Sequence, residues 1–207
     1  MATSLQTADD RLQTLPETFT YSQARQAARL SDRHLILLRQ QGLIDALGRG
    51  LYRRTDLAEA ASEQPADIDL LEIAMRAPEA TLCLTSALAR HGLTDAIPAT
   101  IDIALPRGRH RPATSAPVTW HAFDPHTFGI GREQIAIAAR VSMGSYTPER
   151  CVIDAFRLSH LEGADLAITA LKRWLRRPEA TPSRLLDMAR AFPKVQRPLR
   201  QALAILL

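Results

Sequence analysis

The chain of 207 residues carries six histidines, two cysteines, 22 carboxylates and 26 basic side chains, and these are the groups whose type and spacing could do chemistry. Metal-assisted hydrolysis needs histidines, cysteines or carboxylates gathered at ligand spacing. The histidines stand at 34, 91, 110, 121, 126 and 160, with no pair at i, i+4 on a helix, and Cys83 and Cys151 are far apart in apolar surroundings. His121 and His126, beside Asp124-Pro125, fit surface or capping roles. Cofactor phosphates would call for a glycine-rich cradle, but Gly129-Ile130-Gly131 lacks the third glycine of a dinucleotide loop. Neither a P-loop nor a Gly-x-Ser-x-Gly elbow is present. A restriction-type nuclease would pair clustered carboxylates with a lysine; Asp102 falls in a β-like run, but Lys172 and Lys194 are remote from it in sequence. The expectation is a protein that is not an enzyme, with no catalytic residue, metal site or cofactor.

Positive charge is the remaining chemistry, and all of it except Lys172 and Lys194 is guanidinium. Arginine forks match phosphate oxygens and the O6/N7 edge of guanine. The net charge of +4 is uneven: about +1 over residues 1–60, −3 over 61–139 and +6 over 140–207. That balance permits nucleic-acid binding without establishing it.

The elements that would present these arginines are legible near the N-terminus. Thr20 or Ser22 is placed to cap a short helix over Gln23–Arg29, and Ser31-Asp32 caps a second one, Arg33–Gln41, which Gly42 ends. The period then changes: Leu43–Leu47 and Leu51–Arg54 flank Gly48-Arg49-Gly50, as in a hairpin. Helix, turn, helix and hairpin in this order describe a winged helix-turn-helix, a fold that reads double-stranded DNA with its second helix. On that helix Leu35 and Leu38 face inward, while Arg33, Ile36, Leu37 and Gln40 face outward, with Asp32 and Arg39 at the edges. Arg33 could fork onto guanine, Gln40 onto adenine, and Ile36 could touch a thymine methyl. Ser31 and His34, in the first turn, complete the candidate DNA-binding set there. Arg49, Arg53 and Arg54 on the hairpin would meet phosphates or the minor groove. Ile36 and Leu37 also admit a protein contact or a partly buried helix, and each arginine equally suits a solvated surface.

Farther along, Ser62–Pro65 has the composition of a linker, dividing the chain into residues 1–60 and 66–207. Short β-like runs follow at Ile101–Leu105, Val118–Phe123 and Ile135–Met143, and helical periodicity dominates from Pro148 onward. In Ala164–Arg177, Ala167, Ile168, Leu171, Trp174 and Leu175 share one face, and Lys172, Arg173, Arg176 and Arg177 the other. This second basic surface suits either solvent or a polyanion, as does the basic loop Pro106–Pro112. His91, beside Gly92, suits a helix end, where it would meet the last carbonyls. The expected fold class is α+β: a winged helix-turn-helix, then a mixed α/β domain with a helical C-terminal tail. The N-terminus lacks a signal-peptide pattern, no apolar run approaches the ~20 residues of a membrane span, and reduced buried cysteines suit a cytoplasmic location.

Several segments also resemble the AbiEi family, the antitoxins of the bacterial abortive-infection (AbiE) type IV toxin–antitoxin pairs. They are Phe19-Thr20, Ser31…Leu35…Leu38…Gly42-Leu43, Arg49-Gly50-Leu51-Tyr52-Arg53, Leu84–Leu93, Ile101–Gly108 and Tyr146–Ala155. The polar Arg39-Gln40-Gln41 departs from the family pattern, which would carry an apolar residue there. The resemblance implies an antitoxin that represses its own operon by binding inverted repeats in promoter DNA. It also implies a second domain that counters a nucleotidyltransferase-like toxin, typically without a stable complex. The competing expectations are a stand-alone transcriptional regulator whose α/β domain senses a ligand and, last, a DNA-directed nuclease. The separating observation is a nucleotidyltransferase reading frame next door.

Overall fold

The computed structural model of the protein describes residues 2–58, 67–138, 140–159 and 163–207. The linker expected at Ser62–Pro65 lies outside the described residues. The chain is mixed α+β, with 11 helices and two sheets among the described residues. It divides into two compact units, one of residues 1–78, 112–115 and 136–142, the other of 79–111, 116–135 and 143–207.

The first unit opens with helix α1 (Ala2–Leu12), strand β1 (Thr18–Thr20) and helices α2 (Tyr21–Gln26) and α3 (Asp32–Gln40). Strands β2 (Ile44–Gly48) and β3 (Leu51–Arg54), the short α4 (Thr55–Ala58) and α5 (Ile68–Arg76) follow. Both α2 and α3 begin in reciprocal capping boxes. Thr20 accepts from the Gln23 amide while Gln23 Oε1 accepts from the Thr20 amide; Ser31 and His34 exchange the same pair of bonds. Each box satisfies two amides that a helix start leaves orphaned. Between the helices Arg29 takes φ +53°, closing α2 from the left-handed region. The sheet has the order β1-β3-β2, antiparallel throughout. Its hairpin turns at Arg49-Gly50, and Gly50 holds φ +68° with its carbonyl accepting from Tyr21 N. Leu12, Phe19, Leu30, Leu35, Leu38 and Ile44 form the core, and Phe19 stacks on Tyr52.

The second unit contains β4 (Thr81–Leu82), α6 (Leu84–Arg90), β5 (Ile101–Pro106), β6 (Val118–Phe123) and α7 (Pro125–Phe128). Strands β7 (Arg132–Ala138) and β8 (Val141–Tyr146), whose adjoining ends at 136–142 are counted with the first unit, precede α8 (Pro148–Arg157), α9 (Ala164–Leu175), α10 (Pro182–Ala189) and α11 (Pro193–Leu206). The second sheet runs β6-β5-β4-β8-β7, with β5 parallel to β6 and β4 parallel to β8. The β-like run expected at Ile135–Met143 is thus parts of two strands, with Arg140 at φ +62° between them. Helices α9, α10 and α11 all pack on α8. The amphipathic face expected in α9 is buried at Ala167, Leu171 and Trp174, and the Trp174 indole donates to Glu149.

Two polar clusters organise this unit's interior. Cys83 gives α6 no side-chain cap, and Asp102 of β5 supplies one: it accepts from the Ser86 amide and hydroxyl, while Ser86 Oγ accepts from Asp102 N at 2.9 Å. Its other oxygen meets His121 Nε2 at 3.0 Å, so His121 serves the interior. In the second cluster Arg150 is fully buried. Its guanidinium bonds Asp154 and the carbonyls of Thr127 and Ile130, and Gly131 must be glycine because a Cβ there would sit 2.7 Å from Arg150 Cβ. Burial pushes the Asp154 carboxyl upward, while the Arg150 and Arg157 guanidiniums beside it pull the other way. His91 ends α6 as expected, but its ring bonds the Tyr146 carbonyl at 2.8 Å instead of its own helix.

Candidate nucleic-acid interface

Helix α3 carries most of the candidate residues, and its capping box at Ser31 and apolar side at Leu35 and Leu38 fix which face is free. Asp32, Arg33, Ile36, Arg39 and Gln40 are exposed and Leu37 is half-buried. Ile36 keeps 57% of its surface, unusual for isoleucine on a helix that already has an apolar side. Arg33, Arg39 and Gln40 have no side-chain hydrogen bond or ion pair among the described residues. Beside them lies a cavity of about 410 Å³ between Tyr21, Asp32, Leu35, Ile36, Arg39, Gln40 and Tyr52. The Tyr21 hydroxyl donates to Asp32 at this edge, and that bond holds the phenol above its ordinary pKa.

Arg49 occupies the hairpin tip and is exposed. Its carbonyl is taken by Arg76, which ties the tip to α5 and leaves the Arg49 side chain without a partner among the described residues. The same α5 arginine pairs with Glu72, which in turn accepts from Ser115. Arg53 is half-buried opposite Asp45, with 3.5 Å between the charged atoms. Such a pair is weak and leaves Arg53 able to turn outward.

Three candidates are occupied elsewhere. Arg54 was expected on the outer surface of the hairpin but is only 4% exposed. Its guanidinium points inward and donates to the carbonyls of Leu12 and Leu15 at 3.5 and 3.0 Å, to Gln13, and to Asp56. These carbonyls lie at and just past the end of α1, so Arg54 fastens the hairpin to the segment that leaves that helix. Arg54 is therefore removed from the DNA-facing set. The Ser31 and His34 side chains are spent on the α3 cap, which leaves His34 one ring nitrogen.

The second basic surface is similarly divided. Lys172 and Arg176 are exposed, but Arg173 is bonded to Asp95 and the Gly92 carbonyl, and Arg177 to the His91 carbonyl. The Arg173 guanidinium holds the Asp95 carboxyl below the usual carboxylate range. Two of the four cations in this stripe thus fasten the turn after α6, work that a helical wheel cannot reveal. The basic loop keeps Arg107 free, while Arg109 pairs with Glu79.

No protein-family model matches the chain, and no curated protein matches it in sequence. No helix among the described residues is long and apolar enough to cross a membrane.

Proposed function

We propose that residues 19–56 form a winged helix-turn-helix that binds double-stranded DNA, with α3 as the reading helix and the β2–β3 hairpin as the wing. The observation that carries this reading is the outward face of α3. Arg33, Arg39 and Gln40 stand exposed and unpartnered there, beside an exposed Ile36 and next in sequence to a hairpin with a free Arg49 at its tip. Base-edge contacts come from Arg33, Gln40 and Ile36; Arg39, Arg49 and Arg53 meet the backbone. Asp32 orients Tyr21 at the groove edge instead of meeting a base.

The protein acts in this reading as the antitoxin of a type IV toxin–antitoxin pair, repressing its own operon and opposing a nucleotidyltransferase-like toxin. The segments resembling AbiEi antitoxins support it, and the capping geometry around Ser31 and Ser86 gives two of those segments a physical purpose. Co-expression with a nucleotidyltransferase-like toxin from the neighbouring reading frame, read as restored growth, tests the antitoxin half. Footprinting of the upstream DNA tests the repressor half. Failure of rescue with footprinting intact leaves a stand-alone regulator.

A further inference from the structure

Strands β5 and β6 run parallel and end together, Pro106 opposite Phe123. Beyond their carboxyl ends lies a cavity of about 430 Å³. Cavities at the carboxyl ends of parallel strands are where open α/β sheets hold ligands. Three cations line this one: Arg107 just past β5, Arg157 at the end of α8, and Lys194 in the first turn of α11. Arg107 and Lys194 are exposed and have no side-chain partner among the described residues.

The wall behind them is short of negative charge. Arg150 and Arg157 share the single carboxylate of Asp154, at 3.0 and 2.9 Å through their Nε atoms. Each also has a buried Nη2 with no partner among the described residues. Both guanidiniums lie over the ring of Phe192, which lines the cavity at the α11 N-cap. One carboxylate for two guanidiniums leaves a net positive charge in a low-dielectric wall, which favours an anion in the adjoining space. The start of α11 adds the positive end of a helix dipole there, with no side chain capping it.

Shape narrows the anion. The cavity exceeds what a phosphate group fills, and Ala122, Ala191 and Val195 give part of its lining an apolar character. Asp124 stands on the rim with one oxygen accepting from the His126 amide and the other free to accept from a ligand hydroxyl or amino group. We propose that this cavity binds a small phosphate-bearing molecule of the nucleotide class, its phosphate between Arg107, Lys194 and Arg157 and its body against the alanine and valine side. This assignment does not rest on the DNA-binding reading, because every residue it uses belongs to the second unit.

The test uses the full chain, titrated calorimetrically with AMP, ATP, pyrophosphate and inorganic phosphate at fixed ionic strength, with thermal melting in parallel. The expected result is saturable binding of AMP or ATP, tighter than inorganic phosphate, and a melting temperature that rises with ligand concentration. Arg107→Ala with Lys194→Ala should weaken that binding by about tenfold or more per lost charged contact. Both side chains are exposed and unpaired, so the unliganded melting temperature should stay unchanged. Absence of saturable binding to any of these probes overturns the proposal, as does wild-type affinity in the double variant. Equal affinity for AMP and inorganic phosphate removes the nucleotide body from it.

Discussion

Two arginines of the first unit illustrate how residue type alone misleads. Arg33 and Arg54 are equally suited to a phosphate, yet Arg33 projects into solvent from α3 and Arg54 is sealed against the end of α1. Arg54→Ala would strip the buried Leu15 carbonyl and the part-buried Gln13 carbonyl of their donor and should cost on the order of 3 kcal/mol in chemical denaturation. Arg33→Ala should leave stability within about 0.5 kcal/mol and instead reduce discrimination between operator and scrambled DNA by ~1–3 kcal/mol. A large loss of stability in Arg33→Ala would mean that its side chain is not free. The Arg54 pair also sets a pH dependence. Arg54 holds the Asp56 carboxyl below its ordinary value, so the unfolded chain takes up that proton more readily. The stabilisation is therefore complete above the ordinary carboxylate range and is lost as pH falls through the depressed value. Because Asp56 is partly exposed, the effect should be modest. Asp56→Asn should lower the melting temperature at pH 7 and match the wild type in strong acid.

At the scale of elements, what the sequence made legible was local. Thr20, Ser31 and Gly42 announce helix boundaries because a cap acts on amides or carbonyls within a turn of itself. Leu35, Leu38, Ala167, Leu171 and Trp174 announce buried faces because helical period is a local property. Helix α1 was not foreseen, and with it went the reason for Arg54 to turn inward. The Ser86–Asp102–His121 cluster was equally hidden: its members lie 16 and 19 residues apart and meet only once β5 pairs with α6 and β6. Nor could spacing show that Arg173 and Arg177 are tied to the turn after α6. Of the candidate DNA-facing residues placed by helical phase, Arg33, Ile36, Arg39 and Gln40 are exposed and Leu37 is half-buried, whereas hairpin and tail arginines are divided by long-range partners. The capping box offers a direct check: Ser31→Ala should destabilise the first unit by ~1 kcal/mol. Ser31→Asp, which retains an acceptor at the N-cap, should recover most of that loss in the same urea titration.

At the scale of the whole molecule, the chemistry is divided between two units with different electrostatic habits. The first keeps its free cations on a helix face and a hairpin tip, where long polyanions can reach them. The second keeps a positive wall behind a cavity, and its cysteines are far from any reactive setting. Cys83 and Cys151 are buried, and burial pushes both thiols well above their ordinary range. Neither should react with iodoacetamide near neutral pH until the chain is unfolded, and mass spectrometry of the folded protein should find both unmodified. Early alkylation of either would show that the second unit opens locally at low cost.

Whether α3 and the hairpin hold DNA is read out by fluorescence anisotropy of the full chain on labelled DNA from upstream of its own reading frame. Titrations at several salt concentrations, repeated with Arg33→Ala and Arg49→Ala, separate base reading from backbone contact. The predicted result is binding whose logarithmic constant falls linearly with the logarithm of salt. Arg49→Ala should lower that slope by about one and weaken all sequences alike, while Arg33→Ala erases preference for the upstream site. Affinity that does not respond to salt, or that both variants retain in full, would mean that α3 and the hairpin do not hold DNA.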